Sequence, residues 1–148
     1  MFLLRRVAWV FIKLLIKYKF PEVQQLTTRD LAIWLGKEGV EKPKLLDGRK
    51  QEEYLVSHLQ DAKLVPSCLE DLVKWEGLDF STPIVVYCSV GYRSAKIATR
   101  LQSLGYKQVF NLQGSIFEWV NEGRSLYRGE EEVNKVHPYN KFWGYLVR

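Results

Sequence analysis

The sequence predicts a three-layer α/β domain around a mainly parallel sheet, and three observations carry that expectation. Short apolar runs bounded by turn residues alternate with stretches of helical periodicity, the pattern of successive strand–helix–strand units. The run Ile84-Val85-Val86-Tyr87 has no polar alternation, which fits a strand covered on both faces. A chain of 148 residues is long enough for one domain with a core of its own.

The elements follow in order. Over residues 1–20, Arg6, Lys13 and Lys17 line one helical face, while Phe2, Leu3, Val7, Val10, Phe11, Leu14, Leu15 and Tyr18 cover much of the rest. The bases leave an apolar run too short for a membrane span of ~20 residues, and no small-residue cleavage site follows it. Two readings stand for this basic amphipathic helix: it lies on an anionic membrane surface, or it packs on the domain or on a second copy. Pro21 ends it. A strand is expected over Val23–Leu26, and Thr27-Thr28-Arg29-Asp30 forms a capping box before a helix that stops at Gly36 or Gly39. Pro43–Asp47 reads as a second strand, Gln51–Leu55 as a brief helix and Ala62–Val65 as a third strand. Pro66-Ser67 opens a helix through Leu69, Leu72, Val73 and Trp75, closed near Gly77.

After Ile84–Tyr87, the apolar positions Ala95, Ile97, Ala98, Leu101 and Leu104 fall at helical spacing from Ser94 to the stop at Gly105. A last strand lies near Val109–Leu112, followed by a helix bearing Ile116, Trp119 and Val120. Arg128–Glu132 reads as a solvated link, and Tyr139, Phe142, Trp143, Tyr145 and Leu146 are too apolar to hang in water. The expected organisation is therefore an N-terminal helix over 1–20, a core domain over 21–124, and an extension over 125–148 that docks on the domain.

The chemistry centres on Thr82–Gly105. Cys88 sits at the carboxyl end of a buried strand, and the next backbone N–H groups open a helix. Ligands of open α/β sheets bind at that edge, and unpaired amides with the positive end of a helix favour an anion. A thiol in such a place ionises more readily. Ser89, Val90, Gly91, Tyr92, Arg93 and Ser94 are thus a candidate cradle for a sulfur anion, with Arg93 as its cation. Arg49 follows the second strand and is a candidate for the same sheet edge, against a structural ion pair with Asp47, Glu52 or Glu53.

The loop C-S-V-G-Y-R-S resembles the active-site loop of the single-domain rhodanese family, C-x-x-G-x-R-S. L-L-D-G-R-K-Q-E-E-Y-L-V-S-H-L-Q-D-A resembles a second segment of that family, through Asp47, Arg49, Glu53, Tyr54, His58 and Ala62. Gly48, Ser57 and Gln60-Asp61 depart from the family's usual residues without removing a chemical group. The resemblance covers about residues 23–123. It implies a five-stranded parallel sheet with helices on both faces, the active loop after the fourth strand, and a sulfurtransferase activity. Cys88 would take a sulfane sulfur from thiosulfate or a persulfide donor and pass it to a thiol or another nucleophile, with no metal and no cofactor. It also implies that Asp47 and His58 are scaffold. A thiolate held by amides and Arg93 needs no histidine base.

Two other classes stay open. Cysteine phosphatases and arsenate reductases use a similar thiolate loop, but phosphatases place one more residue between cysteine and arginine than this chain has between Cys88 and Arg93. A non-catalytic rhodanese-like scaffold at a membrane surface is the other alternative.

Cys68 and Cys88 form neither a zinc spacing nor a C-x-x-C pair, so a reducing, cytoplasmic setting is expected, with peripheral membrane contact as a further option. The formal charge of +5 is concentrated before Glu22, which argues against nucleic acid as a partner. The expected partners are a small sulfur donor and a thiol acceptor, together with a membrane surface or a second copy through residues 1–20.

Overall fold

The structure, a computed structural model, describes residues 1–148. The elements are α1 (Phe2–Lys19), β1 (Gln24–Thr27), α2 (Thr28–Gly36), β2 (Lys44–Asp47), α3 (Gln51–Val56), β3 (Lys63–Leu64), a 3-10 helix (Leu69–Lys74), β4 (Ile84–Tyr87), α4 (Tyr92–Ser103), β5 (Val109–Gln113), α5 (Ser115–Asn121), β6 (Leu126–Arg128), β7 (Glu131–Val133) and α6 (Lys141–Gly144). Five strands form one sheet in the order β1-β5-β4-β2-β3, and every pairing in it is parallel. β4 is therefore central, with β2 and β5 as its neighbours.

Strand periodicity decides which side chains go to which layer. Val85 and Tyr87 join Leu45, Leu112 and the α2 and α5 residues Leu31, Ile116 and Phe117 on one side. Ile84 and Val86 join Leu46, Val109, the α4 residues Ala98 and Leu101, and Leu72 of the 3-10 helix on the other. All four residues of β4 are fully buried, as their unbroken apolar run requires.

Local chemistry explains most boundaries. The Thr27 hydroxyl accepts the Asp30 N–H at 3.0 Å and caps α2. A Cβ at Gly48 would lie 2.6 Å from Ile97 Cδ1 and 3.3 Å from the Tyr87 carbonyl oxygen, so a side chain there requires the Ile97 methyl to move aside. The departure at Gln60-Asp61 places Asp61 at φ 61, so this turn is made by a left-handed residue.

Three expectations are corrected. The segment after Pro66 forms a six-residue 3-10 helix that starts at Leu69, with no side-chain cap. Its buried residues Leu69 and Leu72 are three apart, and three residues per turn put both on one face. α4 begins at Tyr92, two residues before the expected Ser94. Residues 128–132 are exposed, as expected of a solvated link, but they belong to an antiparallel hairpin of β6 and β7, in which Leu126 pairs with Val133 and Gly129 turns at φ 61. Tyr127 bridges back to His58 through N–H···O bonds of 2.8 Å in both directions, which fastens the hairpin to the core.

Both ends of the chain lie on the same side of the molecule. Ile16 of α1 is buried, and Ala8, Trp9 and Ile12 pack against the cluster that also holds Leu146. The Arg5 guanidinium donates to the Tyr145 carbonyl at 3.0 Å, joining the two ends directly.

Candidate active site

Cys88 directly follows β4 and is 1 % exposed. Its backbone is held by the β5–α5 turn: its N–H donates to Ser115 Oγ at 3.2 Å, and its carbonyl accepts the Ile116 N–H at 3.1 Å. The Ser89 carbonyl likewise accepts the Phe117 N–H at 3.1 Å. The loop is thereby braced from behind by a second βα turn.

The sulfur faces the start of α4. Cys88 Sγ accepts the Gly91 N–H at 3.1 Å, and Gly91 is the N-cap residue, at φ 110. That backbone conformation belongs to glycine, and it turns the amide toward the sulfur. Ser94 Oγ lies 3.4 Å from Sγ but also donates to Asn111 Oδ1 at 2.6 Å. One hydroxyl has one proton, and the shorter contact to a carbonyl oxygen takes it. Asn111 in turn donates to the Gly91 carbonyl at 3.0 Å and to Gln25 Oε1 at 2.9 Å, so β5 fixes both ends of the cradle.

Arg93 makes a two-pronged pair with Glu53 of α3, at 2.9 and 3.0 Å, and its Nη2 also donates to Ser89 Oγ at 2.9 Å. Burial pushes the Glu53 carboxyl up, but the bonds from Arg93 and the Lys50 N–H more than reverse this and hold it below the usual carboxylate range. The guanidinium lies 4.6 Å from the Tyr139 ring centroid, a cation–π stack that brings the C-terminal segment over the loop.

Arg49 takes the structural role rather than the substrate edge. Its guanidinium is sealed from solvent, bonded to both Asp47 oxygens at 2.9 and 2.6 Å and to the Ser57 carbonyl at 2.6 Å. Asp47 also accepts the Tyr87 hydroxyl at 2.7 Å, and burial drives the Tyr87 phenol well above its ordinary range. His58 is stacked on Tyr54 with ring centroids 4.3 Å apart. Its Nε2 accepts the Gly129 N–H at 3.2 Å, so Nδ1 carries the proton and donates to the Leu59 carbonyl at 2.7 Å. Both ring nitrogens are occupied by backbone, which gives His58 a scaffold position.

Above the loop is a cavity of about 440 Å³. Ile12, Leu15, Ile16 and Lys19 of α1 form one wall, Tyr139 and Trp143 the other, and Cys88, Ser89, Val90, Tyr92 and Arg93 the remainder. A larger hollow of about 670 Å³ near Lys44, Tyr54 and Trp75 contains no residue of the Cys88 loop. No group of three or more His, Cys, Asp or Glu side chains is placed to hold a metal.

This geometry coincides with a family match: the Rhodanese-like domain, over residues 30–122. The chain belongs to this family. Among solved structures, the rhodanese-like domain resembles the BH2092 protein of Bacillus halodurans at 26 % identity and TM-score 0.68, over 87 % of this chain and 93 % of that one. A thiosulfate sulfurtransferase from Pseudomonas aeruginosa shares the fold at 22 % identity and TM-score 0.66, over 82 % of this chain and 23 % of that one. A tRNA uridine(34) hydroxylase of Prochlorococcus marinus is 36 % identical over 64 residues, 41 % of this chain. The chain spans only 21 % of that relative's length, and 30 % of a Buchnera aphidicola protein of the same name at 26 % identity.

The local sequence marks Cys88 and its loop, whereas Glu53, Asn111, Ser115 and Tyr139 join the site only in the folded chain. The matched E-Y pair at Glu53-Tyr54 was the one available signal for Glu53. The others reach the loop from β5, the β5–α5 turn and the C-terminal segment, and no local spacing marks them.

Proposed function

We propose that this rhodanese-like domain is a sulfurtransferase that carries a sulfane sulfur on Cys88. The observation that carries this reading is the Gly91 N–H aimed at Cys88 Sγ at 3.1 Å, at the N-terminal end of α4. A fixed amide dipole at that place stabilises charge on a terminal sulfur without a proton-transfer partner.

The reaction proceeds in two displacements. The Cys88 thiolate attacks the outer sulfur of a donor such as thiosulfate. A sulfur–sulfur bond forms to Cys88, the donor's own sulfur–sulfur bond breaks, and sulfite leaves with that electron pair. An acceptor thiolate then attacks the outer persulfide sulfur, and the pair from the broken bond returns to Cys88. Arg93 serves this scheme by fixing Ser89 and the loop through Glu53, and its charge adds to the field at the sulfur.

Intact-mass measurement of reduced protein after incubation with thiosulfate tests the reading. A gain of one sulfur, reversed by cyanide and absent from Cys88→Ser, is the expected result. No gain with thiosulfate or with a low-molecular-weight persulfide, in a protein whose Cys88 alkylates, would leave the non-catalytic scaffold as the better account. The hydroxylase name describes relatives of which this chain spans a fifth to a third.

A further inference from the structure

The cavity over Cys88 differs in character from the loop beneath it. Six of its lining side chains are carbon-rich surfaces: Ile12, Leu15, Ile16, Tyr139 and Trp143 come from outside the loop's own strand and helix, and Val90 from the loop's tip. No acidic residue lines it, and its two cations are Arg93 and Lys19. Arg93 is already engaged by Glu53, whereas Lys19 makes no ion pair. A volume of about 440 Å³ lies within the range of small-ligand sites. Thiosulfate, a compact and strongly hydrated dianion, leaves such walls unused.

We propose that this cavity is the acceptor site, and that it takes a low-molecular-weight thiol with an apolar body and an anionic group at the far end. The thiolate meets the Cys88 persulfide, the hydrocarbon lies against Ile12, Leu15 and Trp143, and the anion meets Lys19 at the rim. The acceptor leaves as R–S–S⁻ and Cys88 is regenerated as the thiolate, so no oxidant or reductant is needed. The proposal rests on Cys88 carrying sulfur.

The full chain, loaded with thiosulfate, is assayed with mercaptopropionate, mercaptohexanoate and mercaptooctanoate as acceptors. One buried methylene is worth up to about fourfold in binding, so KM should fall by roughly tenfold or more along the series. Leu15→Glu should flatten that gradient. Lys19→Gln, at an exposed position without a partner, should raise KM for the carboxylates and leave the matching plain alkyl thiols unchanged. Loading by mass without any chain-length gradient would overturn the acceptor assignment alone. Absence of loading would overturn the transfer reading beneath it.

A different observation carries a second proposal. Along the outer side of α1, Leu3, Val7, Val10, Phe11, Leu14 and Tyr18 are all more than half exposed. At 100° per residue they form one stripe, with Arg6 and Lys17 along one edge. α1 contains no acidic residue. Phe142 and Tyr145, also exposed, extend the patch from the C-terminal segment. No helix is long and apolar enough to cross a membrane. We infer that this face lies in an anionic lipid surface, the hydrocarbon stripe entering the headgroup boundary and the bases meeting lipid phosphates.

Flotation of the full chain with vesicles of phosphatidylcholine, with and without phosphatidylglycerol, tests it. Co-flotation that requires phosphatidylglycerol, weakens with salt and is lost in Phe11→Asp and Leu14→Asp is expected. Failure to float overturns the proposal. So does sedimentation as a dimer that either substitution converts to a monomer, which would assign the face to a second copy.

Discussion

Arg93 and Glu53 bind each other through both prongs of both side chains, at 2.9 and 3.0 Å, across α4 and α3. Glu53 is 1 % exposed and also accepts the Lys50 N–H at 2.9 Å, so its carboxylate ties the start of α3 to the sulfur loop. Glu53→Ala should cost about 2–4 kcal/mol, because a buried charge pair is broken and a helix amide loses its acceptor. It should also slow sulfur loading by freeing Ser89. Arg93→Lys should recover little, since an ammonium cannot reproduce the fork. Urea unfolding and the intact-mass assay read the two effects separately.

The same pair sets an acid limit. Glu53 has a folded pKa below its ordinary 4.5, so between the two values the unfolded chain binds more protons than the folded one. Its contribution to stability is fully present above about pH 4.5 and is lost as pH falls through the folded value. The urea midpoint of the natural protein should therefore drop more steeply below that pH than the midpoint of Glu53→Gln. Parallel curves would assign acid sensitivity to other carboxylates.

Gly91 has two separable duties, its φ of 110 and its N–H to the sulfur. A Cβ there would meet Ile16 Cδ1 at 3.4 Å and the Leu112 carbonyl at 3.5 Å, contacts that space alone allows. Backbone strain is then the main cost, and Gly91→Ala should lose about 1–2 kcal/mol. If the loop relaxes toward negative φ, the amide swings away from Cys88, and sulfur loading should slow by roughly tenfold, the worth of one hydrogen bond. Stopped samples analysed by mass give that rate.

Arg49 offers the contrast. A residue at the substrate edge would affect donor KM, whereas one bonded to Asp47 and Ser57 inside the core affects stability. Arg49→Ala leaves the Asp47 charge buried without its partner and should cost about 3–5 kcal/mol. Arg49→Lys keeps the charge and loses the fork, giving a folded protein for kinetics. Its donor KM should match that of the natural protein. A rise in KM at unchanged stability would return Arg49 to the substrate edge.

The strand, loop and helix around Cys88 were legible because each is specified locally: an unbroken β-branched run, a glycine, then apolar residues at helical spacing. The braces were not. Asn111 and Ser115 look like ordinary polar residues in sequence, and only the placement of β5 beside β4 brings them to the sulfur loop. The hairpin at Leu126–Val133 was hidden by its charge, although Gly129 between Leu126 and Val133 held the turn signal. The amphipathic helix was evident over residues 1–20. Its contribution of a wall to the Cys88 cavity depends on where α1 lies, which periodicity does not encode.

Tyr139 tests whether the C-terminal segment guards the sulfur. Its ring covers Arg93 while its backbone holds a left-handed φ of 66, so one residue combines a favourable contact with local strain. The cation–π contact at a partly exposed site is worth about 0.5–1 kcal/mol, and the left-handed conformation costs a side-chain-bearing residue about 1–2 kcal/mol. Tyr139→Gly removes both, and the net change in stability should stay within about 1 kcal/mol. The cavity wall is nevertheless lost. Alkylation of Cys88 by a bulky maleimide should then accelerate several-fold, with little change for small iodoacetamide. Equal rates in the two proteins would show that the segment does not restrict access to Cys88.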